Sequence, residues 1–188
     1  MDTSRTLPAD SAPELAGRHV ILVGLPGAGK STVGHLLARR LQVGFLDFDL
    51  EIVRREHIPI TEIFATRGEP AFRALELALT DEVATLPPMV LSPGGGWVTQ
   101  KEAVAVLKPR SRLVYLRISP AGAVRRMGRR MSTRPLLQRA DPRAELELLL
   151  AARREVYDSA DVVIDVEMLD AQRVAESVRH RLAEFSAR

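Results

Sequence analysis

The stretch Gly24-Leu-Pro-Gly-Ala-Gly-Lys30-Ser31-Thr32 fits G-x-x-x-x-G-K-[ST], the phosphate-binding loop or P-loop. Gly24, Gly27 and Gly29 let the backbone curl until several N–H groups point at one phosphate chain, beside a helix N-terminus that already favours anions. Lys30 is then placed to reach the outer phosphates, and the Ser31 hydroxyl to meet Mg²⁺. An ordinary glycine-rich turn also satisfies the bare pattern. The flanks favour a nucleotide triphosphate: the apolar run 19–23 leads in like a buried strand, and a helical pattern leaves.

Other residues suit the same chemistry. Asp47 and Asp49 lie two apart at the end of a short strand-like run, a spacing that turns both carboxylates to one face of an extended chain. Asp49 is equally suited to cap a helix starting at Leu50. Arg73 and Glu76 are surface neighbours on a helix, and such pairs most often form a solvated ion pair of little energetic consequence. Arg153 falls on the apolar stripe Leu146, Leu149, Leu150, Tyr157. An inward guanidinium there needs an anion or must extend its head to water, and a ligand carboxylate is one candidate. Gly94-Gly95-Gly96 after a strand permits close approach of a substrate to backbone N–H groups, or is a flexible turn. Arg125, Arg126, Arg129, Arg130, Arg134 and Arg139 form a basic stretch that reads as a solvated face, a nucleic-acid patch, or a lid over polyphosphate.

The elements that must hold these residues alternate strand and helix about five times. Strands are expected at 19–23, 44–47, 89–91, 112–116 and 161–165. Helices are expected after the P-loop to about residue 41, from Pro70 to Leu86, from about Thr99 to Leu107, from Ser119-Pro120, from Asp141-Pro142 to about Tyr157, and at the C-terminus on Val174, Val178, Leu182 and Phe185. Short helical pieces fill 49–67 with a break at His57-Ile-Pro59. Such alternation predicts an α/β fold, a three-layer α/β/α arrangement around a five-stranded parallel sheet, with ligands at the C-terminal strand ends.

The 188 residues suit one domain, expected over 18–188, after a loose extension at 1–17 without the parts of a signal peptide. The absence of cysteine excludes disulfides, thiolate catalysis and Cys-ligated zinc. No apolar run approaches the ~20 residues of a membrane span, so no membrane partner is expected and a cytoplasmic location is the default. The net charge of +3 is small and carried by arginine, the residue suited to bidentate recognition of phosphate and carboxylate. Aromatic residues at 4% are too few for the stacking platforms of single-strand binding, so no nucleic-acid partner is expected.

Taken together, the chain resembles the shikimate kinase family over roughly residues 18–168. The matching words are the P-loop, Phe45-Leu-Asp-Phe-Asp49, Ile63-Phe64 with Gly68-Glu69, Phe72-Arg73-x-x-Glu76, Gly94-Gly-Gly96, Thr133-Arg-Pro-Leu-Leu137 and Arg153-x-x-x-Tyr157. The resemblance implies the P-loop kinase fold of the nucleoside monophosphate kinase group, with a mobile lid at about 128–141. It implies ATP-dependent phosphorylation of the 3-hydroxyl of shikimate, a step towards chorismate and the aromatic amino acids, by a monomer. By motif match, the amides of Gly27, Ala28, Gly29, Lys30, Ser31 and Thr32 and the Lys30 side chain would hold the phosphates of ATP. Ser31 and Asp47 would position Mg²⁺, and Arg126 would pack near adenine. Asp49 would hold the ring hydroxyls and orient or deprotonate the attacking one. Arg73 and Arg153 would bind the carboxylate, Gly95 and Gly96 would line the ring pocket, and Arg134 would reach the transferring phosphoryl group.

Three positions depart from the family's usual wording: Phe48 between the aspartates, Ser92-Pro93 before the glycines, and Arg154-Glu155 after Arg153. Phe48 and Pro93 are bulky and are expected near the pocket. The rival readings are a related small-molecule kinase such as gluconate kinase, and a non-catalytic ligand-sensing domain on the same fold. A P-loop GTPase is excluded, because its N-K-x-D word needs an asparagine and the chain has none.

Overall fold

His19-Val-Ile-Leu-Val23 is buried at every position, a pattern that only a strand covered on both faces allows, and it forms β1 (His19–Val23). This computed structural model describes residues 13–128 and 141–186. Around β1 stand β2 (Phe45–Asp47), β3 (Val90–Ser92), β4 (Ser111–Arg117) and β5 (Val162–Asp165). All neighbours pair in parallel, in the order β2-β3-β1-β4-β5. The expected five-stranded parallel sheet is therefore present, with strand ends moved by a residue or two.

The two-residue period of β1 divides the core. Val20 and Leu22 face a cluster with Val33, Leu37 and Leu41 of α1 (Lys30–Leu41) and Val174, Val178 and Leu182 of α7 (Ala171–Ser186). Ile21 and Val23 face the opposite cluster. It contains Phe48 and Ile52 of α2 (Phe48–Glu56), Phe72, Leu79 and Val83 of α3 (Ile60–Val83), and Leu107 of α4 (Lys101–Leu107). Helices α5 (Pro120–Met127) and α6 (Pro142–Asp158) begin as expected, with Ser119 and Asp141 accepting N–H groups of the first turn and Pro at the first position.

The helical piece expected before residue 67 and the helix expected from Pro70 are both present within α3, which starts at Ile60 after the expected break and is interrupted at Gly68, whose φ of 79° no interior helical residue adopts. Pro70, which lacks an N–H, follows that break as the opening of a second helix would. The helix expected from about Thr99 to Leu107 is α4, which starts at Lys101 after a 3₁₀ turn at Trp97–Thr99. Phe48, expected near the pocket, is fully buried in the core beneath α2, and Pro93 is also buried.

At the opposite, N-terminal edge of the sheet, His19 is 3% exposed and its Nδ1 accepts the Met89 N–H at 3.3 Å, a bond only the neutral ring makes. Burial, and then the charge of Arg110, hold its pKa below the ordinary value. The unfolded chain therefore binds this proton more readily than the native state. The stabilisation is whole above the unfolded pKa of about 6.5 and is lost as the pH falls through it. Thermal unfolding between pH 5.5 and 8 should show Tm falling below about pH 6.5, with a shallower fall in His19→Gln. Equal slopes in the two proteins would contradict the assignment to His19.

Candidate functional site

The P-loop leaves β1 and turns through Gly24, Gly27 and Gly29, all at positive φ. Gly27 is the most constrained: beside its φ of 86°, a Cβ there would stand 2.8 Å from the Ala123 carbonyl. Gly29, at φ 91°, serves as the N-cap of α1 without a side-chain bond, so the first-turn N–H groups are left to face the loop. Lys30 Nζ donates to the carbonyls of Gly24 (3.0 Å) and Leu25 (3.3 Å), which fixes the ammonium across the loop.

The aspartates separate by backbone state. Asp47 ends β2 in an extended conformation, and its Oδ1 accepts the Leu50 N–H at 3.3 Å, so Asp47 rather than Asp49 caps α2. Its other oxygen, Oδ2, accepts from Ser31 Oγ at 2.5 Å. Asp49 is already in the first helical turn. The two carboxylates thus do not share a strand face as expected: Asp47 turns to the P-loop, and Asp49 to a neighbouring cavity. Two hard oxygen donors in contact at the loop suit Mg²⁺, which needs few protein ligands beside phosphate and water.

That cavity, of about 760 Å³, opens beside Pro26 of the P-loop. Asp49, Arg73, Glu76, Gly94, Gly95, Gly96 and Arg153 make its polar end, while Val53, Ile60, Phe64, Phe72 and Leu149 supply an apolar wall. The glycines are spacers for charge. A Cβ on Gly94 would stand 2.5 Å from Asp49 Oδ1 and 2.7 Å from Glu76 Oε1, one on Gly95 would stand 3.1 Å from Arg153 Nη1, and one on Gly96 would overlap Arg73.

The two arginines differ in state. Arg73 is loaded: its Nη1 donates to Glu76 Oε2 at 2.5 Å, and its Nε and Nη2 donate to Glu69 Oε1 at 3.1 and 2.7 Å. Arg153 is 5% exposed, and its Nε and Nη1 have no hydrogen-bond partner among the described residues. It lies against Tyr157, whose ring stacks on Tyr115 at 4.5 Å. Burial raises the Tyr157 pKa, with the Arg153 cation pulling the other way. The inward arginine expected from the apolar stripe is thus present.

Glu76 was underestimated by sequence. It is fully buried, and burial, outweighing the bonds from Arg73 and Gln100, raises its pKa, with Asp49 adding to the rise. Its position on the buried stripe with Phe72, Leu79 and Val83 was the available signal. Gly94 belongs with Gly95 and Gly96, and Gln100 gave no signal at all. Arg126 lies away from the cavity, where its Nη2 donates to the carbonyls of Val166 and Leu169 (2.7 Å for the latter). Arg125 instead pairs with Glu167 at 2.6 Å. Arg134, with most of the expected lid, lies outside the described residues.

A loop with the geometry of a P-loop thus adjoins a cavity with two arginines and two carboxylates at its polar end. The family model for shikimate kinase matches residues 26–183. The chain belongs to the shikimate kinase family. It is 44% identical over 150 residues to a shikimate kinase of Nitrobacter winogradskyi, covering 80% of this chain and 70% of that one. It is 42% identical over 172 residues to one of Pseudomonas savastanoi pv. phaseolicola, covering 91% and 99%. Among solved structures, a shikimate kinase from Acinetobacter baumannii in complex with shikimate superposes with a TM-score of 0.88 at 33% identity, covering 96% of this chain and all of that one. A gluconokinase from Sinorhizobium meliloti shares the fold at 20% identity, with a TM-score of 0.61 over 91% and 94%. The protein is an ATP-dependent kinase, and no described helix is long and apolar enough to cross a membrane.

Gly94→Ala provides a test of the spacing. Gly94 lacks a positive φ, so the backbone tolerates alanine, but the methyl group would displace Asp49 and Glu76. Misplacement on this scale should lower kcat/KM for the acceptor by roughly 10²-fold. Nucleotide affinity, measured by fluorescence titration, should remain near wild type. Equal losses in both would show instead a general collapse of the site.

Proposed function

We propose that the reaction, γ-phosphoryl transfer from ATP to the 3-hydroxyl of shikimate to give shikimate 3-phosphate and ADP, runs on the following residues of this chain. The amides of residues 27–32 and the Lys30 ammonium hold the phosphates. Ser31 and Asp47 hold Mg²⁺, which when bound neutralises phosphate oxygens. Asp49 accepts a hydrogen bond from the attacking hydroxyl, orients it, and takes its proton. Arg153 and Arg73 bind the substrate carboxylate, with Gly95 and Gly96 beneath the ring. Arg126 borders the adenine, and Arg134, on resemblance alone, meets the transferring phosphoryl group.

The observation that carries this assignment is Arg153: a buried guanidinium with two nitrogens that have no partner among the described residues, in the same cavity as a second arginine and an aspartate. A carboxylate satisfies it, and the carboxylate then fixes the ring against Asp49. The catalytic work is positioning and charge stabilisation, with little covalent chemistry asked of the protein.

ADP release from Mg-ATP should depend on shikimate and stay near background with gluconate, with AMP and without acceptor. Turnover with gluconate equal to that with shikimate would overturn the assignment of shikimate as the acceptor, though not of the arginines to a carboxylate, since gluconate carries one too. In Arg134→Ala, kcat should fall by roughly 10³-fold or more, with nucleotide affinity less affected. An unchanged kcat at saturating substrates would remove Arg134 from its role.

A further inference from the structure

Gln100 stands at the N-cap of α4, yet its side chain makes no capping bond. Ser, Thr, Asp and Asn are the usual residues there, because their short side chains reach the first-turn N–H groups. The longer glutamine reaches elsewhere: its Nε2 donates to Glu76 Oε2 at 2.7 Å, the same oxygen that receives Arg73 Nη1 at 2.5 Å. We propose that Gln100 is a positioning residue for substrate binding, which keeps the buried Glu76 ionised and thereby holds Arg73 in place for the shikimate carboxylate. This rests on the assignment of Arg73 to that carboxylate.

Glu76 depends on its donors. It is fully buried, its Oε1 has no partner among the described residues, and the Asp49 carboxylate faces it across Gly94. Both burial and a like charge favour the protonated form, while the two N–H donors favour the ionised one. Each contacting element contributes a group: Arg73, itself bonded to Glu69, from α3; Asp49 from α2; Gln100 from the start of α4; and the Gly94 backbone. Of the two donors Arg73 is the dependent one, since it needs the Glu76 charge to stay where it is. Gln100 is neutral at every pH, so it supports the ionised carboxylate without taking part in the exchange. Loss of this donor leaves a buried oxygen with one partner fewer and moves protonation of Glu76 to higher pH. A protonated Glu76 no longer anchors a guanidinium, and Arg73 then follows Glu69 towards solvent.

Gln100→Ser separates this role from a structural one, because serine is a good N-cap but is too short to reach Glu76. Gln100→Glu keeps the length and replaces a donor with a second carboxylate. KM for shikimate and kcat would be measured from pH 6 to 8.5 for both variants, wild type and Arg73→Ala, together with Tm. In Gln100→Ser, KM should match wild type near pH 8.5 and rise several-fold more steeply than wild type as the pH falls to 6. Its kcat should follow wild type, and its Tm should be equal or higher. Gln100→Glu should show the same rise, starting at higher pH. Wild-type KM profiles in both variants, or a KM increase constant across pH, would overturn the proposal. If Arg73→Ala leaves KM unchanged, the carboxylate assignment fails and takes this inference with it. If Arg73→Ala raises KM while the Gln100 variants do not, only the inference about Gln100 fails.

Discussion

A charged group removed from water must be met by partners, and that constraint organises this protein's acceptor site. Arg153 is nearly buried with two guanidinium nitrogens unmatched among the described residues, a state costing several kcal/mol unless an anion enters. Packing holds it there: Leu146 and Tyr157, on the same helix, are buried, and Tyr157 is stacked on Tyr115 of β4. Glu76 shows the same constraint with the opposite sign, a buried carboxylate whose Oε2 is met by Arg73 and Gln100. The glycines at 94–96 let these charges come to the backbone, since any side chain there would occupy the space of Asp49, Glu76, Arg73 or Arg153.

The donor and acceptor halves of the site meet at one short joint. Asp47 closes β2, caps α2 and bonds Ser31 of the P-loop, while Asp49, a half-turn onward, enters the acceptor cavity. Because β2 is fixed by pairing with β3, and β3 leads directly to the glycines, the phosphate loop and the ring pocket are registered against each other through three adjacent parallel strands. The spacing between the P-loop and the cavity is thus set by the sheet rather than by flexible side chains.

Much of this was legible in the chain. The P-loop and the apolar strands fixed the fold class, because a five-residue run buried on both sides has few other uses. Arg153 was legible because a charge on an apolar stripe is a contradiction that function resolves. Asp47 and Asp49 were found, and the resemblance gave them separate roles, but their spacing put them on one face: the strand-to-helix change falls between them, and two-residue spacing speaks only for an extended chain. Glu76 was undervalued because its i,i+3 partner made an ordinary surface pair equally plausible, and burial is a tertiary fact. Gln100 was invisible, since a neutral residue 24 positions from its partner has no local pattern. Gly68 and Pro70 read as a boundary between helical pieces, and they form one within α3.

The central claim is that Arg153 is kept buried for a substrate anion at some expense to the stability of the unliganded protein. Thermal unfolding of wild type and Arg153→Met, each with and without saturating shikimate, tests this most directly. A methionine fills similar space without a charge to satisfy, so Tm of the unliganded variant should equal or exceed that of wild type, and the shikimate-induced rise in Tm should disappear. A large drop in the unliganded Tm with the shikimate-induced rise retained would contradict the account and make Arg153 a structural residue.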